Sequence, residues 1–252
     1  MVCGGSQGIG RACAVELARL GSAVTVVARD EKALRNVVTE LATVGGRDHQ
    51  SIAVDFTDPS ALQAKVAAHL KEVRAIHILV NNTGGPPHGA LMEAKPEQFL
   101  QAISNHIVCS QLLVQTLLSG MKSSGYGRIV NIISTSVVAP IKGLGVSNTT
   151  RGAVANWGRT LAGELAPFGI TVNNILPGYT ATARLQSLFQ AKAEKAGTST
   201  KEIERQTIER IPMGRLAAPE EIAAAVGFLA SPGASYLTGV NLPVDGGRTA
   251  IQ

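Results

Sequence analysis

The sequence has few cysteines, and it lacks a long apolar run. Only three cysteines occur in 252 residues, Cys3, Cys13 and Cys109. Their odd number and wide spacing exclude a disulfide framework, and we expect no metal site. No stretch of about 18 uninterrupted apolar residues is present, so we expect no membrane span. The chain also starts without a signal-peptide pattern, and we therefore expect a cytoplasmic protein.

The basic residues form no run. Lys and Arg number 23 against 18 Asp and Glu, which gives a formal net charge of +5. Nucleic-acid binding would require a basic patch or stripe, so we expect no nucleic-acid partner. A phosphorylated cofactor would use a few of these charges. A chain of this length, with 45% hydrophobic residues, can form one core, and we expect a single domain over residues 1–252.

Short apolar runs alternate with longer segments of helical period. The runs predict buried strands at residues 23–28, 51–54, 76–80, 128–133 and 171–176. Helices are predicted at residues 8–20, 32–41, 60–73, 96–121, 148–166 and 219–230. Strands separated by such helices need crossover connections, so the sheet should be parallel. The pattern therefore predicts an α/β fold, a Rossmann-type doubly wound parallel sheet with its ligand crevice beyond the carboxyl ends of the strands.

Two segments depart from this alternation. Only Met1, Val2 and Cys3 precede the first glycine, so the first strand is apparently shortened. Either the sequence begins inside that strand, or the strand is a stub. Residues 179–210 are polar and interrupt the pattern before the last helix. We interpret them as a helical substrate flap over the crevice, with an ordinary surface insertion as the alternative.

A glycine-rich loop lies between the first strand and the first helix. It reads Gly4-Gly5-Ser6-Gln7-Gly8-Ile9-Gly10. Backbone N–H groups at a helix N-terminus can face a pyrophosphate, and glycine lets the backbone approach phosphate closely. Such a loop alone is a weak signal, but its position favours a dinucleotide-binding site.

The order of the motifs resembles the short-chain dehydrogenase/reductase family, especially its 3-oxoacyl-carrier-protein reductase branch. The resemblance rests on the glycine loop and three later segments, Asn81-Asn82-Thr83-Gly84, Gly214-Arg215-Leu216 and Val244-Asp245-Gly246-Gly247. It implies a nicotinamide dinucleotide cofactor and a small-molecule carbonyl or alcohol substrate. The predicted cofactor-binding residues are Gly4, Ser6, Gln7, Gly8, Ile9, Gly10, Arg29, Asp55, Phe56, Asn82, Gly84, Arg151, Pro177, Gly178 and Thr182.

The end of the second predicted strand bears on the choice between NADP and NAD. An acidic side chain there would bind the ribose hydroxyls and repel a 2′-phosphate. The sequence instead has Ala28-Arg29-Asp30, and a guanidinium suits bidentate phosphate binding. We therefore expect NADP. NAD is the alternative, because Asp30 follows directly and Gln7 occupies a position that is often basic in NADP-preferring relatives; a solvated charge is the other interpretation of Arg29.

Only half of the family's catalytic pattern is present. The resemblance assigns the family's serine to Ser134 and its asparagine to Asn105. Its Tyr-x-x-x-Lys motif should follow, but Ser147 and Arg151 stand at the two positions. An aliphatic hydroxyl is a far weaker acid than a phenol, and arginine keeps its proton. Arg151 can still bind ribose hydroxyls and place a positive charge beside the carbonyl oxygen.

A reductase with this sequence needs another acid near the crevice. Three candidates lie on segments that the fold places there, namely His88, Lys142 and Tyr179. Each has an alternative role: a solvated histidine, an exposed turn charge or a residue that only lines the pocket.

Two functions therefore remain open. One is an NAD(P)-dependent oxidoreductase with an atypical catalytic site, and the other is a dinucleotide-binding protein without reductase activity, acting as a sensor or partner subunit. A lyase, epimerase or dehydratase has no positive support. The resemblance also implies a homodimer or homotetramer joined through apolar helix faces within residues 103–118 and 154–165; the alternative is that these faces only cover the sheet.

Overall fold

The computed structural model describes residues 1–250 and contains one parallel sheet. Its strands are β1 (Val2–Cys3), β2 (Thr25–Ala28), β3 (Gln50–Ala53), β4 (Ile78–Asn81), β5 (Gly127–Ile132), β6 (Ile170–Pro177) and β7 (Asn241–Val244). They lie in the order β3-β2-β1-β4-β5-β6-β7, and every neighbouring pair is parallel. The order reverses between β1 and β4, the position at which ligands bind in such sheets. The predicted Rossmann-type doubly wound sheet is thus confirmed.

Helices cover both faces of the sheet. They are α1 (Gly8–Arg19), α2 (Glu31–Gly45), α3 (Pro59–Val73), α4 (Pro96–Ile103), α5 (Cys109–Ser124), α6 (Gly145–Leu165), α7 (Ala183–Ala196), α8 (Thr200–Ile208) and α9 (Pro219–Ala230). A π-helical turn, Ser104–Val108, joins α4 to α5, so the single helix predicted at 96–121 is interrupted. Helix α6 begins three residues earlier than predicted, which brings Ser147 inside its first turn. Within residues 1–250, no helix is long and apolar enough to cross a membrane.

The core consists of two apolar layers, one on each face of the sheet. On one face, α1, α2 and α9 contribute fully buried side chains that include Leu34, Leu41 and Ile222. On the other face, α3, α5 and α6 contribute residues such as Leu62 and Leu113. Full burial of each such side chain contributes about 1.5–3 kcal/mol. The two layers hold the strands in place, so the loops at their carboxyl ends start from fixed positions.

A row of asparagine side chains crosses four strands in one register. Asn81 Nδ2 donates to Asn131 Oδ1 at 2.9 Å, and Asn131 Nδ2 donates to Asn174 Oδ1 at 2.8 Å. Asn174 Nδ2 then donates to Asn241 Oδ1 at 2.8 Å. A Cβ on Gly158 of α6 would lie 2.8 Å from Asn174 Oδ1. The row thus sets how closely α6 approaches the sheet.

Residues 179–210 contain an ordered helical pair. Helices α7 and α8 occupy most of this segment and pack against each other. Phe189 of α7 is fully buried, which anchors the pair. The segment is helical, as expected, and its movement over the crevice stays a prediction.

Candidate functional site

Two glycines of the loop lie too close to neighbouring backbone atoms to carry a side chain. Gly4 has φ +59°, and a Cβ on it would lie 2.1 Å from the Asn82 carbonyl oxygen. A Cβ on Gly10 would lie 2.1 Å from the Gly4 carbonyl oxygen. The first turn of α1 carries no acidic residue, so the positive end of the helix is available to an anion. This geometry suits the pyrophosphate that the sequence predicts here.

The corner beyond β2 holds Arg29, with the carboxylates of Asp30 and Asp55 nearby. Arg29 is exposed and close enough to Asp55 to help lower the pKa of that carboxyl group, after the stronger effect of the hydrogen bonds from Thr57. Asp30 caps α2, since its Oδ1 accepts from Ala33 N at 2.9 Å. A helix cap is a sufficient role for Asp30. The corner therefore offers Arg29 to a 2′-phosphate, which favours NADP over NAD.

A cavity of about 210 Å³ lies at the carboxyl ends of the central strands. The predicted catalytic residues that line it are Ser134, Ser147, Arg151, Tyr179 and His88. The predicted cofactor-binding residues that line it are Ile9, Asn82, Arg151, Pro177, Gly178 and Thr182. The other predicted cofactor residues lie outside this cavity. The fold therefore brings the two predicted sets together in one crevice.

Ser147 and Arg151, to which the resemblance assigns the positions of the family's tyrosine and lysine, both lie on α6. Ser147 lies in the first turn of the helix, and Arg151 follows one turn later on the same face. Arg151 is buried, and its Nη1 donates to the Ile132 carbonyl oxygen at 3.0 Å. Burial, together with nearby Arg184, lowers the pKa of Arg151 to about 10. The guanidinium therefore stays charged at neutral pH.

Ser134 stands at the end of β5, facing the cavity. It precedes a short 3₁₀ turn, Thr135–Val137, and its Oγ accepts from Ser136 N at 3.0 Å. That bond uses one lone pair and leaves the hydroxyl proton free to donate. Ser134 can thus donate to a substrate oxygen in the cavity.

The structure does not place Asn105 in the cavity. Its Oδ1 accepts from Gln101 Nε2 at 2.7 Å on the outer side of the helix. The next residue, His106, is buried instead, with Nδ1 2.5 Å from Thr83 Oγ1. Both residues lie in the π-helical turn Ser104–Val108, and the catalytic role predicted for Asn105 stays a prediction.

His106 is neutral in this environment. Burial, with the charges of Arg151 and Arg184, lowers its pKa to about 2. Its Nε2 has no hydrogen-bond partner within residues 1–250. A neutral imidazole offers one donor and one acceptor, so His106 can hold a hydrogen bond beside the cavity but carries no charge there.

The three candidate acids are not equally placed. Lys142 lines a neighbouring depression and not this cavity. His88 lines the cavity, but burial and the nearby Arg184 and Lys192 lower its pKa, which disfavours the protonated form. Tyr179 also lines the cavity and is half-buried. Among the described residues it is the one phenol on the wall, and a phenol has the chemistry that the family's acid requires.

Arg248 is a wall residue that the sequence did not indicate. It is buried and donates from Nη1 to Thr135 Oγ1 at 3.0 Å, and its guanidinium lies 5.2 Å from the centre of the Tyr179 ring. Arg248 and Thr135 are 113 residues apart. No local pattern connects them, and only the adjacency of β5, β6 and β7 brings them together.

Comparison with known proteins identifies the family. The profile described as Enoyl-(Acyl carrier protein) reductase matches residues 4–249. The chain is 37% identical over 250 residues to the short-chain reductase protein NovJ of Streptomyces niveus, covering 98% of this chain and 92% of that protein. The chain belongs to the short-chain dehydrogenase/reductase family. The resemblance seen in the sequence is thereby confirmed.

Two further members of the short-chain dehydrogenase/reductase family bear on the branch and the fold. The 3-oxoacyl-[acyl-carrier-protein] reductase FabG of Vibrio cholerae is 33% identical over 253 residues, covering 100% of this chain and 97% of that protein. The L-sorbose reductase of Gluconobacter frateurii, solved with NADPH and L-sorbose, is 30% identical with a TM-score of 0.92. That match covers 98% of this chain and 95% of the solved one. The chain therefore resembles reductases over its whole length.

Proposed function

We propose that the chain is an NADP(H)-dependent oxidoreductase that interconverts a carbonyl and an alcohol on a small molecule. The proposal rests on the one cavity that collects Ser134, Arg151 and Tyr179 beside the predicted cofactor residues. It is also supported by the reductases that the chain resembles. The proposed catalytic site is atypical for the family, because Ser147 and Arg151 stand where the family pattern has tyrosine and lysine.

The residues present fit an NADP cofactor. The glycine loop and the α1 N-terminus would hold the pyrophosphate, and Arg29 would bind the 2′-phosphate. Arg151 would bind the hydroxyls of the nicotinamide ribose, since it lines the cavity and its bond to the Ile132 carbonyl oxygen uses only Nη1. When bound, NADPH supplies the hydride that reduces the carbonyl carbon.

The chain itself then has to supply a proton to the carbonyl oxygen. Ser134 would donate a hydrogen bond that orients this oxygen, and Arg151 would stabilise the negative charge that develops on it. Tyr179 would transfer its phenolic proton to the oxygen and recover one from water. The carbon thereby gains a hydride and the oxygen a proton, which balances the conversion of carbonyl to alcohol.

A second function is favoured by one observation. Arg151 already donates Nη1 to the Ile132 carbonyl oxygen, and a buried arginine in that role stabilises the fold without passing protons. With Ser147 too short to replace a phenol, the chain would bind the dinucleotide without reducing a substrate. It would then act as a sensor or as a partner subunit in a mixed oligomer.

NADPH oxidation against a panel of carbonyl compounds separates the two functions. For the oxidoreductase we expect turnover by the natural chain, at least a tenfold loss of kcat in Tyr179→Phe and in Ser134→Ala, and unchanged NADPH affinity in both. Tyr236→Phe is the matched control, because Tyr236 is fully exposed. NADPH binding with no turnover, and activity gained only in Ser147→Tyr/Arg151→Lys, would establish the second function and reject the first.

We also propose assembly into a homodimer or homotetramer in the cytoplasm. Leu100 of α4, Val108 of the π-helical turn and Phe168 near the end of α6 are exposed apolar residues that a subunit interface would cover. Cys3, Cys13 and Cys109 are free and buried, as suits a reducing compartment. Analytical ultracentrifugation tests the assembly, and a mass equal to one chain would refute it.

A further inference from the structure

The cavity wall is cationic throughout the described residues. Arg151, Arg184 and Arg248 line it, and neither Asp nor Glu does. None of the three takes part in an ion pair within residues 1–250. A group of cations with no counter-ion is costly in a partly buried site. An anionic ligand would offset that cost.

Arg248 is the residue of this set with the least evident structural role. It is only 7% exposed, and within residues 1–250 its guanidinium has one hydrogen bond, to Thr135 Oγ1. An arginine carries five N–H donors, so most of its donors are left without protein acceptors. A buried cation without enough acceptors is expected to donate hydrogen bonds to an acceptor group of a ligand.

Arg184 lies on the same wall with donors to spare. Its Nη2 donates to the Pro86 carbonyl oxygen at 3.2 Å. Nη2 of Arg184 and Nη2 of Arg151 lie 2.7 and 3.4 Å from the position of a Cβ on Gly85. The two nitrogens are therefore no more than about 6 Å apart, a separation that one carboxylate can bridge.

Lys192 of α7 lies near Arg248 and Arg210. The pKa of Lys192 on α7 is lowered by burial and by the charges of Arg210 and Arg248. The nearest acidic residue along the chain, Asp245, accepts from Gly247 N, Thr249 N and Thr249 Oγ1. Within residues 1–250, no carboxylate forms an ion pair with Lys192, Arg210 or Arg248.

The phosphates of a dinucleotide do not account for Arg248. Pyrophosphate is expected beyond β1, at the N-terminus of α1, and the 2′-phosphate beyond β2. Arg248 follows β7, and its guanidinium contacts Thr135 beyond β5, two strand spacings from β1. With about 4.8 Å between strands, that is a separation of about 10 Å from the predicted pyrophosphate site. Arg248 thus lies on the substrate side of the cavity.

We propose that the arginine-lined wall of this cavity, with Arg248 and Arg184 as its members outside the predicted cofactor site, binds a carboxylate group of the substrate. The carbonyl compound taken by this chain is then an organic acid. This inference rests on the proposed function, because it treats the bound carboxylate as part of a substrate. Binding of an anion at this site does not itself require turnover. Guanidinium groups bind carboxylates through paired, charge-assisted hydrogen bonds. The carboxylate would also fix the position of the carbonyl relative to Ser134.

Calorimetric titration of the NADPH-loaded chain tests the site without requiring catalysis. The probes are malonate and malonamide, which have nearly the same size and differ in charge. We expect malonate to bind at least tenfold more tightly than malonamide. Arg248→Gln and Arg184→Gln should each remove most of this preference, and Arg159→Gln, on the exposed side of α6, should retain it.

Three results would overturn the proposal. One is equal binding of malonate and malonamide by the natural chain, and another is tighter binding of inorganic phosphate than of malonate. The third is a loss of NADPH affinity in Arg248→Gln with the malonate preference unchanged, which would assign the arginine to the cofactor. Thermal melting of each variant checks that it is folded, and Arg184→Gln replaces Arg248→Gln if the latter is not. A malonate preference in a chain that reduces no carbonyl would reject the proposed function and leave the anion site standing.

Discussion

The two ends of the crevice preserve the family pattern to different degrees. At the cofactor end, the close contacts of Gly4 and Gly10 agree with the phosphate-binding loop that the motifs predict. At the substrate end, Ser147 and Arg151 line the cavity at the positions to which the motifs assign tyrosine and lysine, and two further arginines line its wall. Both ends are built on one sheet. We infer from this difference that the sheet and the cofactor site can be retained while the catalytic residues beside them change.

The largest effect is expected at the cofactor end, from Gly10→Ala. The added Cβ would lie 2.1 Å from the Gly4 carbonyl oxygen, so the loop must shift away from the phosphate position. We expect at least a hundredfold loss of NADPH affinity by fluorescence titration. Gly163→Ala is the matched control, because nothing lies within 4 Å of a Cβ there. Affinity within threefold of the natural chain would show that this loop does not hold the cofactor.

The asparagine row offers a stability test of the substrate end. Asn131→Ala leaves the Asn81 donor and the Asn174 acceptor without their bonds. Each unsatisfied buried group costs about 1–3 kcal/mol, so we expect about 3 kcal/mol of destabilisation and a drop in Tm of about 10 °C. Asn156→Ala, an exposed position on α6, should change Tm little. Equal melting of the two variants would mean that the row does not stabilise the sheet.

The buried, neutral His106 predicts a pH dependence of the free energy of unfolding. His106 has a folded-state pKa of about 2 and an unfolded-state pKa of about 6.5. Its stabilising contribution is therefore complete above pH 6.5 and is lost as the pH falls, by about 1.4 kcal/mol per pH unit. Between pH 6.5 and 5, we expect the free energy of unfolding to fall by about 2 kcal/mol more in the natural chain than in His106→Gln. The same pH dependence in denaturant titrations of the natural chain and His106→Gln would contradict the conclusion that the His106 imidazole is buried and neutral.

The smallest expected effect is a change in the preference for NADPH over NADH. Arg29→Ala removes the guanidinium from the corner beyond β2, so we expect about a tenfold loss of NADPH affinity, the size of one charge-assisted contact. NADH affinity should stay unchanged. Arg47→Ala, another exposed arginine, is the control for the loss of charge alone. An equal loss for NADPH and NADH would assign Arg29 to some part of the cofactor that both share.

Much of the fold was predictable because its signal is local. Strand β2 is buried along its whole length, and such a strand gives the continuous apolar run that the sequence shows there. Strand β7 was not predicted, since Asn241-Leu242-Pro243-Val244 has neither a run nor an alternation. The π-helical turn was also missed, because a shift of one residue hardly changes the helical period.

The substrate end was predictable only in part. Ser134, Ser147 and Arg151 lie at fixed spacings along the chain, so a motif can locate them. Arg248 reaches the cavity only through strand pairing with β6, and Arg184 only through the path of α7. No pattern along the chain records those contacts.

The most direct test of the account is a fluorescence titration of the natural chain and of Ser147→Tyr/Arg151→Lys with NADPH and with NADH. If the cofactor site is separable from the chemistry, both proteins bind NADPH with affinities within threefold of each other, and both bind NADH at least tenfold more weakly. Absence of NADPH binding by the natural chain, with binding only in the variant, would contradict that claim.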